Sequence, residues 1–429
     1  MSFISGKSGI DVCLQRKDKE QIVADFFGKV GINIRKLLLL PPDLTRFNSN
    51  AGEITEIIYE MFSPKGVKID IMPALGTHFA MTEKELRAMF GSRIPLDCFK
   101  VHDWRNSLQL LGKVPGPLIS EWSEGKLDYS VNIEVNKILF GQYDMILSIG
   151  QIVPHEVVGM ANYTKNVCVG VGGQDTINKS HFLGAVYGME RIMGRIDTPV
   201  RKLFNYGAQN FMHDLPIYYV LTVMQKNQNT GKMEMRSMSI GNDMETFSDG
   251  AKLSQKVNLD LLDRPLRKVV VHLDHEEFKS TWLGNKSVYR TRMAMADDGE
   301  LIVLAPGLKE FGEDPEIDRL IRKYGYRGTP ATLDAVKKNQ ELQNNLSAAA
   351  HLIHGSSEGR FKVTYCPGPG MSLENMRSVG FNAEPYGKMS EIYNHAKLKD
   401  GFNVMPDGEE IFFISNPGLG LWALREKFS

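Results

Sequence analysis

The sequence predicts an α/β protein: two α/β domains, a mostly parallel sheet in the N-terminal one, and an active site in the interdomain cleft. Three observations carry this. Short apolar runs of strand length alternate with helix-period patterns. The chain, at 429 residues, is long enough for more than one core. Polar residues able to do chemistry follow the strand-like runs, where ligands sit in parallel sheets.

The elements follow in order. "KLLLLPPD" (36–43) reads as a buried strand stopped by two prolines. "AGEITEIIYEMFSPKG" (51–66) places Ile54, Ile57, Ile58 and Met61 on one helical stripe ended by Pro64 and Gly66. "VKIDIMPALGTH" (67–78) reads as a second strand. "TEKELRAMFG" (82–91) opens with a capping box, Thr82 with Glu85, and closes on Gly91. "YDMILSIGQIVPH" (143–155) is a further strand, and "HFLGAVYGMERIMGRI" (181–196) reads as a helix beginning at His181. Strands are then expected within 267–278, 301–308, 360–368 and 411–418, with a helix over 334–355. The domains are placed at 1–258, for cofactor and catalysis, and 259–429, closing over substrate. The final residues are free to pack back on the first domain.

Lys+Arg and Asp+Glu balance at 51 each, so no basic excess points to nucleic acid or a membrane surface. No apolar window reaches membrane-spanning length. The start of the chain has no apolar core of signal-peptide length. Cys13, Cys98, Cys168 and Cys366 are scattered, with no CxxC pair, which argues against a thiolate zinc site or a disulfide framework. A reducing cytoplasm is the expected compartment.

Three groups could carry chemistry. "PPDLTRF" (41–47) offers Asp43, Thr45 and Arg46: an acceptor, a hydroxyl and a carboxylate-binding fork, or else a capped turn. His78 and His155 each end a strand, and two imidazoles on opposite faces of a carbon centre could exchange acid and base roles. In "PHEVVGMANYTKNVCVGVGGQDTINKSH" (154–181), Lys165 is either a solvated loop charge or, with apolar residues close by, a lysine whose pKa can be lowered to make it a nucleophile. His181 could ligate a metal. Gly172 and Gly173 could cradle a phosphate with backbone N–H groups, or simply make a tight turn.

These motifs, "PPDLTR", "GTH" at 76–78, His155, Lys165 ten residues on and His181 sixteen after that, resemble in order and spacing the nickel-dependent lactate racemase family. The resemblance covers the N-terminal half well, the C-terminal half only as a strand pattern. It implies a nickel-pincer nucleotide (pyridinium-3-thioamide-5-thiocarboxylic acid mononucleotide) joined covalently to Lys165 through a thioamide. Nickel would be held by cofactor sulfurs, a ring carbon and His181. His78 and His155 would be the acid/base pair. Arg46 would bind the substrate carboxylate, with Asp43 and Thr45 near the cofactor. The activity implied is racemisation or epimerisation of a 2-hydroxy acid by reversible hydride transfer from C2. The expected partners are that small substrate and the proteins that build the cofactor and insert nickel.

The chain departs from the lactate enzymes further on. The family's Tyr-Gln pair and following Lys align with "VYRTRM" (288–293), where Tyr289 matches, Arg290 replaces Gln and Met293 stands for Lys. No Trp occurs between Trp282 and Trp422. Tyr289, Arg290, Arg292 and His351 are the expected substrate contacts. Their polarity favours a polyhydroxylated substrate such as an aldonic acid. The alternatives are lactate racemase proper, a nicotinamide-dependent dehydrogenase, for which no GxGxxG follows a strand, and a non-catalytic protein that binds the cofactor.

Overall fold

Four leucines in a row, Leu37–Leu40, are satisfied only by burial on both faces of a strand, and all four are buried. They sit inside a six-stranded sheet in a computed structural model that describes residues 3–227, 230–418 and 420–428. The strands are β1 (Phe3–Ser8), β2 (Lys36–Leu40), β3 (Lys68–Ile71), β4 (Met145–Gln151), β5 (Ile217–Lys226) and β6 (Met233–Gly241). Their spatial order is β1-β6-β5-β4-β2-β3. From β5 to β3 every pairing is parallel. β6 folds back antiparallel on β5, and β1 closes the edge antiparallel to β6.

The helix Ala51–Phe62 buries Ile54, Ile57, Ile58 and Phe62, and Arg16–Val30 buries Ile22, Val23 and Phe26. These join Leu37, Leu39, Leu147 and Ile149 in one core. The capping box at Thr82 forms, Thr82 accepting from the Glu85 amide and Glu85 bonding back to the Thr82 amide. The chain steps from β2 to β3, then returns to the other side of β2 for β4. Loops leaving β2 and β4 therefore diverge, and a crevice opens at their carboxyl ends.

Contacts divide the chain into two units, Met1–Leu183 with Arg191–Asn258, and Gly184–Glu190 with Leu259–Ser429. The second has its own sheet: β7 (Leu266–His272), β8 (Met295–Ala305), β9 (Lys362–Pro367), β10 (Asn382–Ala383), β11 (Gly401–Val404) and β12 (Glu410–Ile414). The order is β10-β9-β8-β7-β12-β11, parallel except for β11 against β12. The final strand, Leu421–Leu424, pairs with Leu259–Leu262 within this unit.

Three element assignments change. The strand expected over 67–78 stops at Ile71, because Pro73 lacks the N–H a ladder needs. The helix expected from His181 begins at Gln174 and ends at Tyr187, where Gly188 (φ 119°) breaks it; a short turn, Met189–Ile192, follows. The single helix expected over 334–355 is three pieces, Thr329–Lys338, Gln340–Asn344 and Leu346–His354, separated at Asn339 and Asn345. Asn345 uses its side chain to cap the Ala348 amide, which favours a new start over continuation.

Among the described residues no helix is long and apolar enough to cross a membrane. All four cysteines are free.

Candidate active site

The crevice is furnished from the ends of β2, β3 and β4. Past β2, Asp43 caps a 3₁₀ turn, Leu44–Ser49, accepting from the Thr45 amide at 3.2 Å and the Thr45 hydroxyl at 2.5 Å. Its other oxygen accepts from Nδ1 of His78 at 2.6 Å. A carboxylate only accepts, so Nδ1 carries the proton and the His78 Nε2 lone pair is bare. Burial alone would raise the Asp43 carboxyl. His78, Thr45 and the Arg46 charge outweigh it and hold the group below the usual range. Asp43 is buried, while His78 is partly open to solvent.

Past β4, His155 lies on a tight two-stranded turn, Pro154–His155 against Gly159–Met160. It is buried, and its Nδ1 accepts the Val157 amide at 3.1 Å. The neutral ring therefore keeps its proton on Nε2, the reverse of His78. Burial, with the Lys165, Arg46 and His181 charges, pushes its pKa well below the ordinary value, against an opposing pull from Glu156.

Lys165 follows two successive non-glycine residues in the left-handed region, Asn162 (φ 67°) and Tyr163 (φ 58°), and leads into a π-helical turn, Asn166–Gly170. Both are uncommon for ordinary residues and concentrate at functional sites. Asn166 pins the turn to the crevice by donating to the Leu40 carbonyl of β2 at 3.0 Å and the Ser148 hydroxyl of β4 at 2.9 Å. Among the described residues the Lys165 amine makes no hydrogen bond or ion pair. Burial, then the Arg46 charge, brings its pKa down to about 8.

His181 stands two turns into its helix. Its Nδ1 donates to the Ile177 carbonyl at 2.7 Å, which leaves Nε2 as the free lone pair. Burial and the Lys165 charge lower it to about 4. A neutral imidazole oriented through one nitrogen by a backbone carbonyl is how proteins present a metal ligand. Among the described residues no three His, Cys, Asp or Glu side chains gather as a metal cage. A metal at His181 would need ligands from elsewhere.

The structure thus brings Asp43, Thr45, Arg46, His78, His155, Lys165 and His181 to one crevice. Gly172 and Gly173 serve the packing. Their amides go to the Val169 carbonyl at 3.2 Å and the Glu134 carbonyl at 3.0 Å, so the phosphate cradle expected there has no free donors. A Cβ on Gly172 would overlap the Cys168 carbonyl oxygen.

The expected substrate contacts of the second unit are buried and committed within it. Arg290 donates to the Gly420 carbonyl at 2.7 Å. Arg292 lies 3.3 Å from Glu190 and 3.8 Å from Glu358. His351 meets the Tyr326 hydroxyl at 3.0 Å and packs against Trp282. Tyr289 is buried beside His354. In this structure all four side chains are buried within the second unit.

Sequence reasoning missed Glu156, Asn166 and Arg201. Asn166 and Glu156 adjoin residues already singled out. Arg201 lies in an ordinary helical stretch and had no signal.

Residues 29–192 match the family model described as the lactate racemase N-terminal domain. No curated protein matches the chain in sequence. A solved structure from Thermotoga maritima superposes with a TM-score of 0.83 at 23% identity, covering 97% of this chain and 100% of that one. The lactate racemase apoprotein from Thermoanaerobacterium thermosaccharolyticum superposes with a TM-score of 0.69 at 15% identity, covering 98% and 93%. At such identities these two likenesses carry the fold. The family-model match falls on the segment that holds all seven crevice residues, so residues 29–192 are similar to the lactate racemase N-terminal domain.

Proposed function

We propose that this chain is a racemase or epimerase of a 2-hydroxy acid and works with a nickel-pincer nucleotide joined to Lys165. One observation carries the reading: an unpartnered lysine, pKa about 8, shares a low-dielectric neighbourhood with two histidines whose Nδ1 atoms are fixed by the backbone. The residues fit such a group. His181 offers a single nitrogen to a metal whose other ligands the protein does not supply, as suits a cofactor that brings its own sulfurs. Lys165 offers an amine already close to its free-base form for covalent attachment. When bound, the group would supply a hydride acceptor.

The chain's own residues do the rest. Arg46, whose side chain makes no hydrogen bond or ion pair among the described residues, offers its fork to the substrate carboxylate. His78 takes the hydroxyl proton at Nε2, and the Asp43 carboxylate stabilises the imidazolium that results. His155, neutral with its proton on Nε2, offers a hydrogen bond to the substrate oxygen, and the proton held by His78 is the one returned to the product hydroxyl. Because Arg290, Arg292 and His351 are committed elsewhere, the proposal stops at the 2-hydroxy acid class.

The test uses the full chain from a host that makes the cofactor and its nickel-insertion proteins. Intact mass should show a nucleotide-sized adduct, and metal analysis should show nickel. With a panel of 2-hydroxy acids in heavy water, epimers should form without deuterium at C2. An unmodified mass from a competent host, or deuterium at C2, refutes the reading.

A further inference from the structure

Arg201 is one of the largest fully buried side chains of the protein. Among the described residues it has no carboxylate partner; its acceptors are neutral. A buried cation without a counter-ion is costly, so its placement calls for a reason.

The fork shows one. Nη1 donates to the Asn162 carbonyl at 3.1 Å and the Thr164 hydroxyl at 3.0 Å; Nη2 donates to the Met160 carbonyl at 2.6 Å. All three acceptors lie in the five residues directly before Lys165. The middle of that stretch is the left-handed pair Asn162–Tyr163, which L side chains adopt only where the surroundings hold them. The surroundings are built to do so. The Thr164 hydroxyl donates onward to Asn205 at 2.8 Å. The Tyr163 ring packs against both Tyr219 and Phe247, and the guanidinium lies 4.3 Å over the Phe247 ring. Any side chain at Gly150 would overlap the Asn162 amide.

We propose that Arg201 is the positioning residue of Lys165: its two-armed fork holds Met160–Thr164 in the left-handed bend that delivers the lysine among Arg46, Asp43 and Glu156. This rests on the reading of Lys165 given above. The same charge also disfavours the ammonium form of Lys165.

The test is amide hydrogen exchange of the full chain, read by mass spectrometry, for wild type, Arg201→Gln and Arg201→Lys. In Arg201→Gln, protection of the peptide spanning 160–166 should fall at least tenfold while β4 and β5 stay as in wild type. Arg201→Lys keeps the charge and loses the fork, so it should show the same local loss. In a host that installs the adduct on wild type, both variants should carry it at least tenfold less often at equal soluble yield. A uniform loss across the sheet, no loss at 160–166, full restoration by lysine, or an undiminished adduct overturns the proposal. Should the Arg201 variants fail to fold, Thr164→Val removes one acceptor of the fork and should loosen the same peptide to a smaller degree; unchanged protection there overturns it. If wild type itself takes no adduct, the Lys165 reading fails, and the exchange result still decides whether Arg201 holds the bend.

Discussion

Nδ1 of His78 donates to the Asp43 carboxylate across 2.6 Å, and Asp43 is held in place by the Thr45 hydroxyl on its other oxygen. The strand β2 thus orients a base that belongs to the loop after β3. Asp43→Asn can place its NH₂ against Nδ1 and favour the wrong tautomer. Turnover should fall about 10²–10⁴-fold with the fold intact by circular dichroism, and ¹⁵N NMR should show the His78 proton moved to Nε2. Thr45→Val should cost about tenfold, since only one of two supports is lost. An Asn variant with full turnover removes His78 from the mechanism.

Lys165 gives a pH signature in the chain without cofactor. Burial and Arg46 disfavour the ammonium, so the free amine should appear as pH rises through about 8 rather than near 10.5. Competitive acylation followed by peptide mass spectrometry measures this midpoint against surface lysines in the same molecule. The sign for stability follows. Between these two pH values the unfolded chain binds more protons than the folded one, so stability rises with pH across that window. Lys165→Met should flatten that slope. A midpoint near 10.5 contradicts the environment described.

The two glycines separate packing from ligand binding. Gly172→Ala drives a methyl into the Cys168 carbonyl, which is backbone and cannot move aside, and should cost roughly 2–3 kcal/mol in denaturant unfolding. Gly173→Ala meets chiefly the Glu134 and Leu108 side chains, which can yield, and should cost only about 1 kcal/mol. Were the pair serving a phosphate instead, both variants would keep their stability and lose cofactor alone.

Arg290→Gln should destabilise the protein by roughly 2–3 kcal/mol, through the lost charged hydrogen bond to the Gly420 carbonyl. Its ratio of kcat/KM for a sugar acid over lactate should stay as in wild type. A shifted ratio at unchanged stability would return Arg290 to the substrate.

The first unit was readable because its signals are local. Four leucines bounded by two prolines specify a buried strand, and Thr82 with Glu85 specifies a helix start. Asp43, His78 and His155 were findable because each trails such a strand. The tautomers were not findable, since they depend on partners 35 residues apart for His78 and on a backbone amide for His155. His181 was misplaced within its helix because Gln174–Lys179 lacks an apolar stripe that would announce the start. The arginines of the second unit show what stays hidden: a sequence shows that a residue is charged, not that it also bonds a carbonyl 130 positions away.

The pairing of β7 with β12 bears on how the protein is made. Val269, Val270 and Val271 take Phe412, Phe413 and Ile414 as neighbours on one side, and those residues leave the ribosome 143 positions later. At about 5–20 residues per second, a bare valine edge waits on the order of ten seconds or more during synthesis. Such an edge is a template for another nascent chain. In the first unit the longest such wait falls on β1, which meets β6 only at Met233–Gly241, but β1 (FISGKS) is short and polar and makes a poorer template. Aggregation during expression should therefore trace to the late half, and chaperones that shield exposed strands should raise the yield of this protein more than cooling raises that of its first unit.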